Sequence, residues 1–217
     1  MKTITMQPAL QTALLLILAF VFSAASQAQD TVDFSKRSLE AKIEYCKACH
    51  GLSGQGYRGF FPMPRIAGQQ AEYFESQLQA FDARRRENKY MYEVSHVLSP
   101  AMRTALAKQF GDLNPKPLGG APRNLIATGK KIYDEGDPAT DVPPCASCHG
   151  PQAKGSGEIP RLAGQLHDYT FNKLVNWSKE RGLDPANPDA SAIMEPIAHG
   201  LTKPQIEAVA AYLSYLD

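Results

Sequence analysis

All four cysteines of this 217-residue chain fall in two copies of one pattern, Cys46-Lys47-Ala48-Cys49-His50-Gly51 and Cys145-Ala146-Ser147-Cys148-His149-Gly150. Two thiols three residues apart project from one side of a helical turn, where each can form a thioether with a vinyl group of haem. The histidine that follows then reaches the iron. The spacing therefore assigns Cys46, Cys49 and His50 to one covalently attached haem, and Cys145, Cys148 and His149 to a second. A thioredoxin-like dithiol would not require histidine next in line, and would sit in a βαβ setting that the chain lacks. A zinc site would have to gather thiolates from two separate repeats.

The sixth ligand decides what such irons do. A five-coordinate iron binds oxygen or peroxide, whereas one with six protein-supplied ligands mainly moves electrons. After Cys145 the only methionine is Met194, and its counterpart in the first repeat is Met91, each seven residues before a leucine that precedes a final helix. Met63 and Met102 are the other methionines of the first repeat after its cysteines. Met63 follows closely behind the first haem motif, and Met102 falls inside the last helix opposite Gln205. A methionine is ordinarily core filler; the matched pair instead points to Met91 and Met194 as iron ligands, with Met91 expected in an irregular segment. Thioether sulfur favours Fe(II) and raises the reduction potential, which suits an electron carrier.

A ligating histidine usually donates its other ring N–H to a carbonyl or carboxylate. Pro64 and Pro160 are the candidates, because proline keeps a free carbonyl and holds the chain extended beside the ring. Arg65 and Arg161 follow directly and are expected to pair with haem propionates; the alternative is that they are solvated surface arginines. His96 and His199 also match across the repeat but are not assigned to iron. The run Arg84-Arg85-Arg86 reads as a solvated helix face or part of a docking patch.

These residues must be positioned by a duplicated architecture. Pro64-Arg65-Ile66-Ala67-Gly68-Gln69 recurs as Pro160-Arg161-Leu162-Ala163-Gly164-Gln165, and Tyr73, Leu78 and Phe81 match Tyr169, Leu174 and Trp177. Between the repeats, Gly111 to Arg123 contains Pro115, Pro117, Gly119, Gly120 and Pro122 and reads as a linker. Domains are accordingly expected over 29–117 and 118–217. Periodicity predicts helices from Leu39 to Cys46, Gln70 to Arg84, Leu125 to Tyr133 and His167 to Lys179. In the last helix Thr202 is the expected N-cap with Gln205 three residues on, and Ile206, Val209, Ala210 and Leu213 share one face. Strand signals are weak throughout, so the expected class is all-α.

The N-terminus carries Lys2, an apolar run from Ala13 to Phe22 and small residues up to Ala28, the features of a cleaved secretory signal over residues 1–28. Its apolar part is shorter than the ~20 residues of a spanning helix; the alternative is an uncleaved anchor. Residues 29–120 carry 13 basic and 10 acidic residues, net +3, and residues 121–217 carry 9 and 12, net −3. The overall balance argues against nucleic acid as a partner, while the asymmetry suits orientation on a charged protein.

Taken together, the paired Cys-x-x-Cys-His and Pro-Arg-(Ile/Leu)-Ala-Gly-Gln motifs and Met194-Glu195-Pro196-Ile197-Ala198-His199-Gly200-Leu201 resemble cytochrome c4, over about Ser35 to Asp217. The resemblance implies two tandem class I cytochrome c domains, each wrapped around one haem c. It also implies a periplasmic carrier, soluble or loosely membrane-associated, passing electrons from a quinol-oxidising complex to a terminal oxidase or other acceptor. Met91-Tyr92-Glu93 departs from Met194-Glu195-Pro196 in lacking the proline. The competing readings are a dihaem peroxidase-like enzyme, which needs a vacant iron position, the haem-bearing subunit of a sulfur-compound dehydrogenase, and a zinc-bound interaction module. Of these, the carrier without enzyme activity of its own fits the methionine in each half.

Overall fold

The structure is a computed structural model that describes residues 36–183, 186 and 190–217. The expected export signal, residues 1–28, lies outside the described residues. The chain divides by its contacts into Met1–Lys42 and Ile43–Asp217. In the first unit the described residues, 36–42, are helical.

The second unit contains both repeats. Its first half consists of α1 (residues 43–50), α2 (Ala71–Asp82), α3 (Lys89–Ser95) and α4 (Pro100–Gly111). Its second half consists of α5 (Ile126–Glu135), α6 (Ala146–His149), α7 (His167–Val175), α8 (Trp177–Glu180), α9 (Ser191–Gly200) and α10 (Lys203–Leu213). Three isolated antiparallel bridges are the only β pairings among the described residues, so the all-α expectation holds. No helix of the described residues is long and apolar enough to cross a membrane.

Local chemistry explains the element ends. Ser99 accepts a hydrogen bond from Met102 N and is followed by Pro100 at the first turn of α4, where a missing N–H costs nothing. Thr202 and Gln205 form the expected capping box of α10. The predicted helix over His167 to Lys179 is instead two helices. Asn176, which ends α7, turns its side-chain Nδ2 back onto Asn172 O (3.0 Å), a local bond that competes with helix continuation.

The second half packs α10 against α5 and α7. Ile206, Val209, Ala210 and Leu213 are all buried, as their spacing predicted, and Tyr133 of α5 is fully enclosed against Val209 and Leu213. The helices cross at Gly129, where an added Cβ would lie 2.0 Å from Ala208 O. In the first half, Phe74 of α2 stacks on Phe110 of α4, with ring centroids 5.9 Å apart. Burying such aromatic pairs holds the two helices together.

Candidate haem-binding sites

Each histidine motif ends a helix and is tied down by the backbone that follows. Gly56 N donates to His50 O (2.8 Å), and Gly155 N donates to His149 O (2.9 Å). Gly54 O accepts from both Ile66 N and Ala67 N (2.9 Å each), and Ala153 O accepts from Leu162 N (2.8 Å) and Ala163 N (2.9 Å). These bonds draw the Pro-Arg segment across the histidine. Glycine is required at 56 and 155: each has positive φ, and a Cβ would meet Arg65 N and Met63 O at 2.9 Å or Ile159 O at 2.2 Å.

The histidine rings then meet the prolines. His50 Nδ1 donates to Pro64 O (2.8 Å) and His149 Nδ1 donates to Pro160 O (3.0 Å). A carbonyl only accepts, so the proton sits on Nδ1 and Nε2 keeps its lone pair. Burial holds both imidazoles below the usual histidine range, offset in part by these carbonyls. A neutral imidazole is the form that ligates a metal. None of the cysteines forms a disulfide, and burial pushes the Cys145 thiol up to about 11.

Arg65 and Arg161 are buried rather than solvated, at 3% and 7% exposure. Arg65 donates through Nε to Ala67 O (3.0 Å), through Nη1 to Pro115 O (2.7 Å) and through Nη2 to Asn114 Oδ1 (3.1 Å). Burial and the adjacent Arg161 draw its guanidinium down to about 10, against the pull of Asp217. Arg161 donates through Nε to Ala163 O (3.1 Å), but its Nη2 is buried without a hydrogen-bond partner. An orphaned cationic donor beside a second guanidinium is costly unless an anion joins it. A haem carboxylate fits that place, and the neutral histidines and paired thiols fit the rest of the group.

The methionine side differs from expectation. Met91 lies in the first turn of α3, not in an irregular segment, because Asn88 accepts a hydrogen bond from Met91 N (3.0 Å) and starts a helix there. Met194 lies in α9, whose Pro196 sits inside the helix and therefore leaves the Ala192 carbonyl without its ladder bond. Met102 lies in the first turn of α4. His199 also falls within α9, where its Nε2 pairs with Ser178 Oγ (2.6 Å).

The contact between the halves uses residues that sequence reasoning did not single out. Gln69 Nε2 donates to Arg161 O (3.1 Å) and its Oε1 accepts from Arg161 N (2.8 Å). Reciprocally, Gln165 Nε2 donates to Arg65 O (3.0 Å) and its Oε1 accepts from Arg65 N (2.8 Å). Further along, Arg86 donates to Gln77 Oε1 (2.7 Å) and Tyr169 O–H (2.8 Å), and Arg181 donates to the same Gln77 oxygen (2.6 Å). Arg86 is buried, which corrects the reading of a solvated face at that residue, while Arg84 is exposed as expected. Burial pushes the Tyr73 phenol up, but Arg181 and Arg86 outweigh it and leave it below the usual tyrosine value. The repeated Gln69/Gln165 and Tyr73/Tyr169 pairs were the signal available in the sequence.

Known proteins resemble this chain in sequence and fold. The Cytochrome c family matches residues 126–217. Cytochrome c4 of Thiocapsa roseopersicina is 37% identical, over 82% of this chain and 91% of that protein. A thiosulfate dehydrogenase electron acceptor of Thiomonas intermedia is 35% identical, over 78% of this chain and 77% of that protein. The solved cytochrome c4 of Acidithiobacillus ferrooxidans aligns with a TM-score of 0.67 at 34% identity, covering 79% of this chain and 98% of that one. The chain belongs to the cytochrome c4 family, all-α electron-transfer proteins of tandem cytochrome c domains with two covalently bound haem c groups.

Proposed function

We propose that this chain is a periplasmic one-electron shuttle in which Cys46 and Cys49 hold one haem and Cys145 and Cys148 the other. His50 with Met91 would hold one iron and His149 with Met194 the other, and the domains run over 29–117 and 118–217. The haem irons supply reversible one-electron chemistry. The protein's own residues would attach, orient and shield them: the prolines fix each imidazole with its proton on Nδ1 and its lone pair on Nε2, the methionines would keep small ligands from the irons, and Arg65 and Arg161 would receive propionate charge.

The observation that carries this reading is the pair of histidines, His50 half-buried and His149 buried, each donating Nδ1–H to a proline carbonyl in the same backbone setting. The donor is proposed to be a quinol-oxidising complex and the acceptor a terminal oxidase, with residues 1–28 removed on export. A second donor, a thiosulfate-oxidising dehydrogenase, is favoured by the identity with the Thiomonas intermedia electron acceptor. Stopped-flow reduction of the oxidised protein by each purified donor complex tests the choice. Reduction within a turnover by one and not the other assigns the donor. Rapid carbon monoxide binding by the reduced protein at neutral pH would overturn the carrier reading in favour of an enzyme.

A further inference from the structure

The hydrogen bonds that join the halves end on the same peptide groups that orient the histidines. The Pro64–Arg65 peptide accepts at its oxygen from His50 Nδ1 (2.8 Å) and donates at its nitrogen to Gln165 Oε1 of the other half (2.8 Å). The Pro160–Arg161 peptide likewise accepts from His149 Nδ1 (3.0 Å) and donates to Gln69 Oε1 (2.8 Å). Each histidine is therefore one peptide group away from a glutamine belonging to the opposite half. Gln165 is buried, and its amide nitrogen returns a bond to Arg65 O, so its carbonyl is held in one orientation.

Hydrogen bonds in a chain polarise one another. An N–H that donates to an amide oxygen raises electron density on its own peptide carbonyl, which strengthens that carbonyl as an acceptor. The histidine N–H it receives is then more strongly polarised, and the imidazole becomes a better electron donor at Nε2. A more basic axial imidazole stabilises Fe(III) and lowers the potential.

We infer that Gln165 and Gln69 are crossed positioning residues: Gln165 in the second half sets the potential at His50 in the first, and Gln69 in the first sets the potential at His149 in the second. The inference rests on the ligand assignment proposed above. Its consequence is that the two redox centres are tuned through their mutual contact, so that loosening the contact raises both potentials while losing one glutamine raises only one.

The test uses the full-length holoprotein. In the reduced, diamagnetic state, ¹⁵N-histidine labelling reports each ligating Nδ1–H by NMR, and a redox titration followed by haem methyl resonances gives the two potentials separately. Gln165→Leu is expected to move the His50 Nδ1–H resonance upfield and raise the potential of the Cys46/Cys49 haem, with His149 and its haem unmoved. Gln69→Leu is expected to produce the mirror pattern. Gln165→Glu keeps an acceptor oxygen toward Arg65 N and replaces the donor to Arg65 O by a second carboxylate oxygen whose negative charge strengthens the acceptor, so the His50 resonance should stay at or downfield of its original position. Equal shifts at both centres in the single leucine variants, a shift at the haem of the same half, or no shift would each overturn the inference. So would Gln165→Glu behaving like Gln165→Leu. The ligand assignment is read first, in the unmodified protein. Absence of one of the two sets of ring-current-shifted imidazole protons would overturn that assignment and this inference with it, whereas both sets with uncrossed variant shifts would overturn this inference alone.

Discussion

On the histidine side the same set of main-chain bonds recurs in both halves. Residue 54 or 153 accepts from two successive N–H groups, residue 56 or 155 donates to the histidine carbonyl, and Gly68 N or Gly164 N donates to Phe110 O (2.8 Å) or Leu213 O (2.9 Å) of the final helix. On the methionine side they part. Met91 sits in a seven-residue helix started by Asn88, whereas Met194 sits in a ten-residue helix interrupted by Pro196. Main-chain bonds tolerate changes of side chain: Ala153 keeps the left-handed conformation (φ 54) that Gly54 adopts at φ 69. Helix length and capping depend on individual side chains, so the methionine limbs have diverged while the histidine limbs have not.

Removing one attachment site is the strongest way to separate the halves. Cys145→Ala with Cys148→Ala should reduce the covalent haem of denatured protein by half, measured as its pyridine haemochrome, and leave the first site's spectrum intact. Loss of both haems would show that the halves do not mature independently, which breaks the comparison at its root.

Next in size are the methionines. Met91→Ala and Met194→Ala should each remove about half of the near-infrared sulfur-to-Fe(III) band and lower one potential, and Met102→Ala should change neither. A Met91→Ala protein with the full band would return Met102 and Met63 to consideration and would widen the difference between the methionine limbs. Asn88→Ala sharpens the same contrast without touching a ligand. Losing the cap of α3 should cost roughly 0.5–2 kcal/mol, so in urea the first half's share of the near-infrared band should be lost at lower denaturant than the second's.

The smallest expected effect lies in the second half, where Asp137 accepts from Gln205 Nε2 (2.6 Å) and Ala139 N (3.0 Å). These bonds hold its carboxyl below the ordinary value of 3.8. A depressed carboxylate stabilises the fold above its unfolded value, and that contribution is lost as pH falls through the folded one. Asp137→Asn should therefore lower the thermal midpoint slightly at pH 7 and leave it unchanged well below pH 3.8, as followed by calorimetry.

Much of this was legible because duplication labels what matters. Cys-x-x-Cys-His, the prolines and the capping box at Thr202 are short-range patterns; the proline carbonyls meet the histidine rings and the capping box forms as its spacing predicted. The pairing of Gln69 with Arg161 was not legible, although the glutamine itself repeats, because its partner lies 92 residues away and is chosen by how the halves pack. Arg86 was hidden in a run of like charges, which from sequence alone describes a wet surface. The helix around Met91 was missed because a single asparagine cap carries no periodicity.

The reciprocal bonds from Gln69 to Arg161 and from Gln165 to Arg65 have the form of an isologous dimer interface, in which one patch meets its own copy about a two-fold axis. Here the copy is supplied by the same polypeptide. The stretch 112–122 between the halves converts what would be a concentration-dependent association into an intramolecular one, with the high effective concentration a short tether provides. Such a surface remains self-complementary after the duplication, so lengthening or cutting the tether turns one closed molecule into material for exchanged dimers, each half finding in a neighbour the partner it was built to meet.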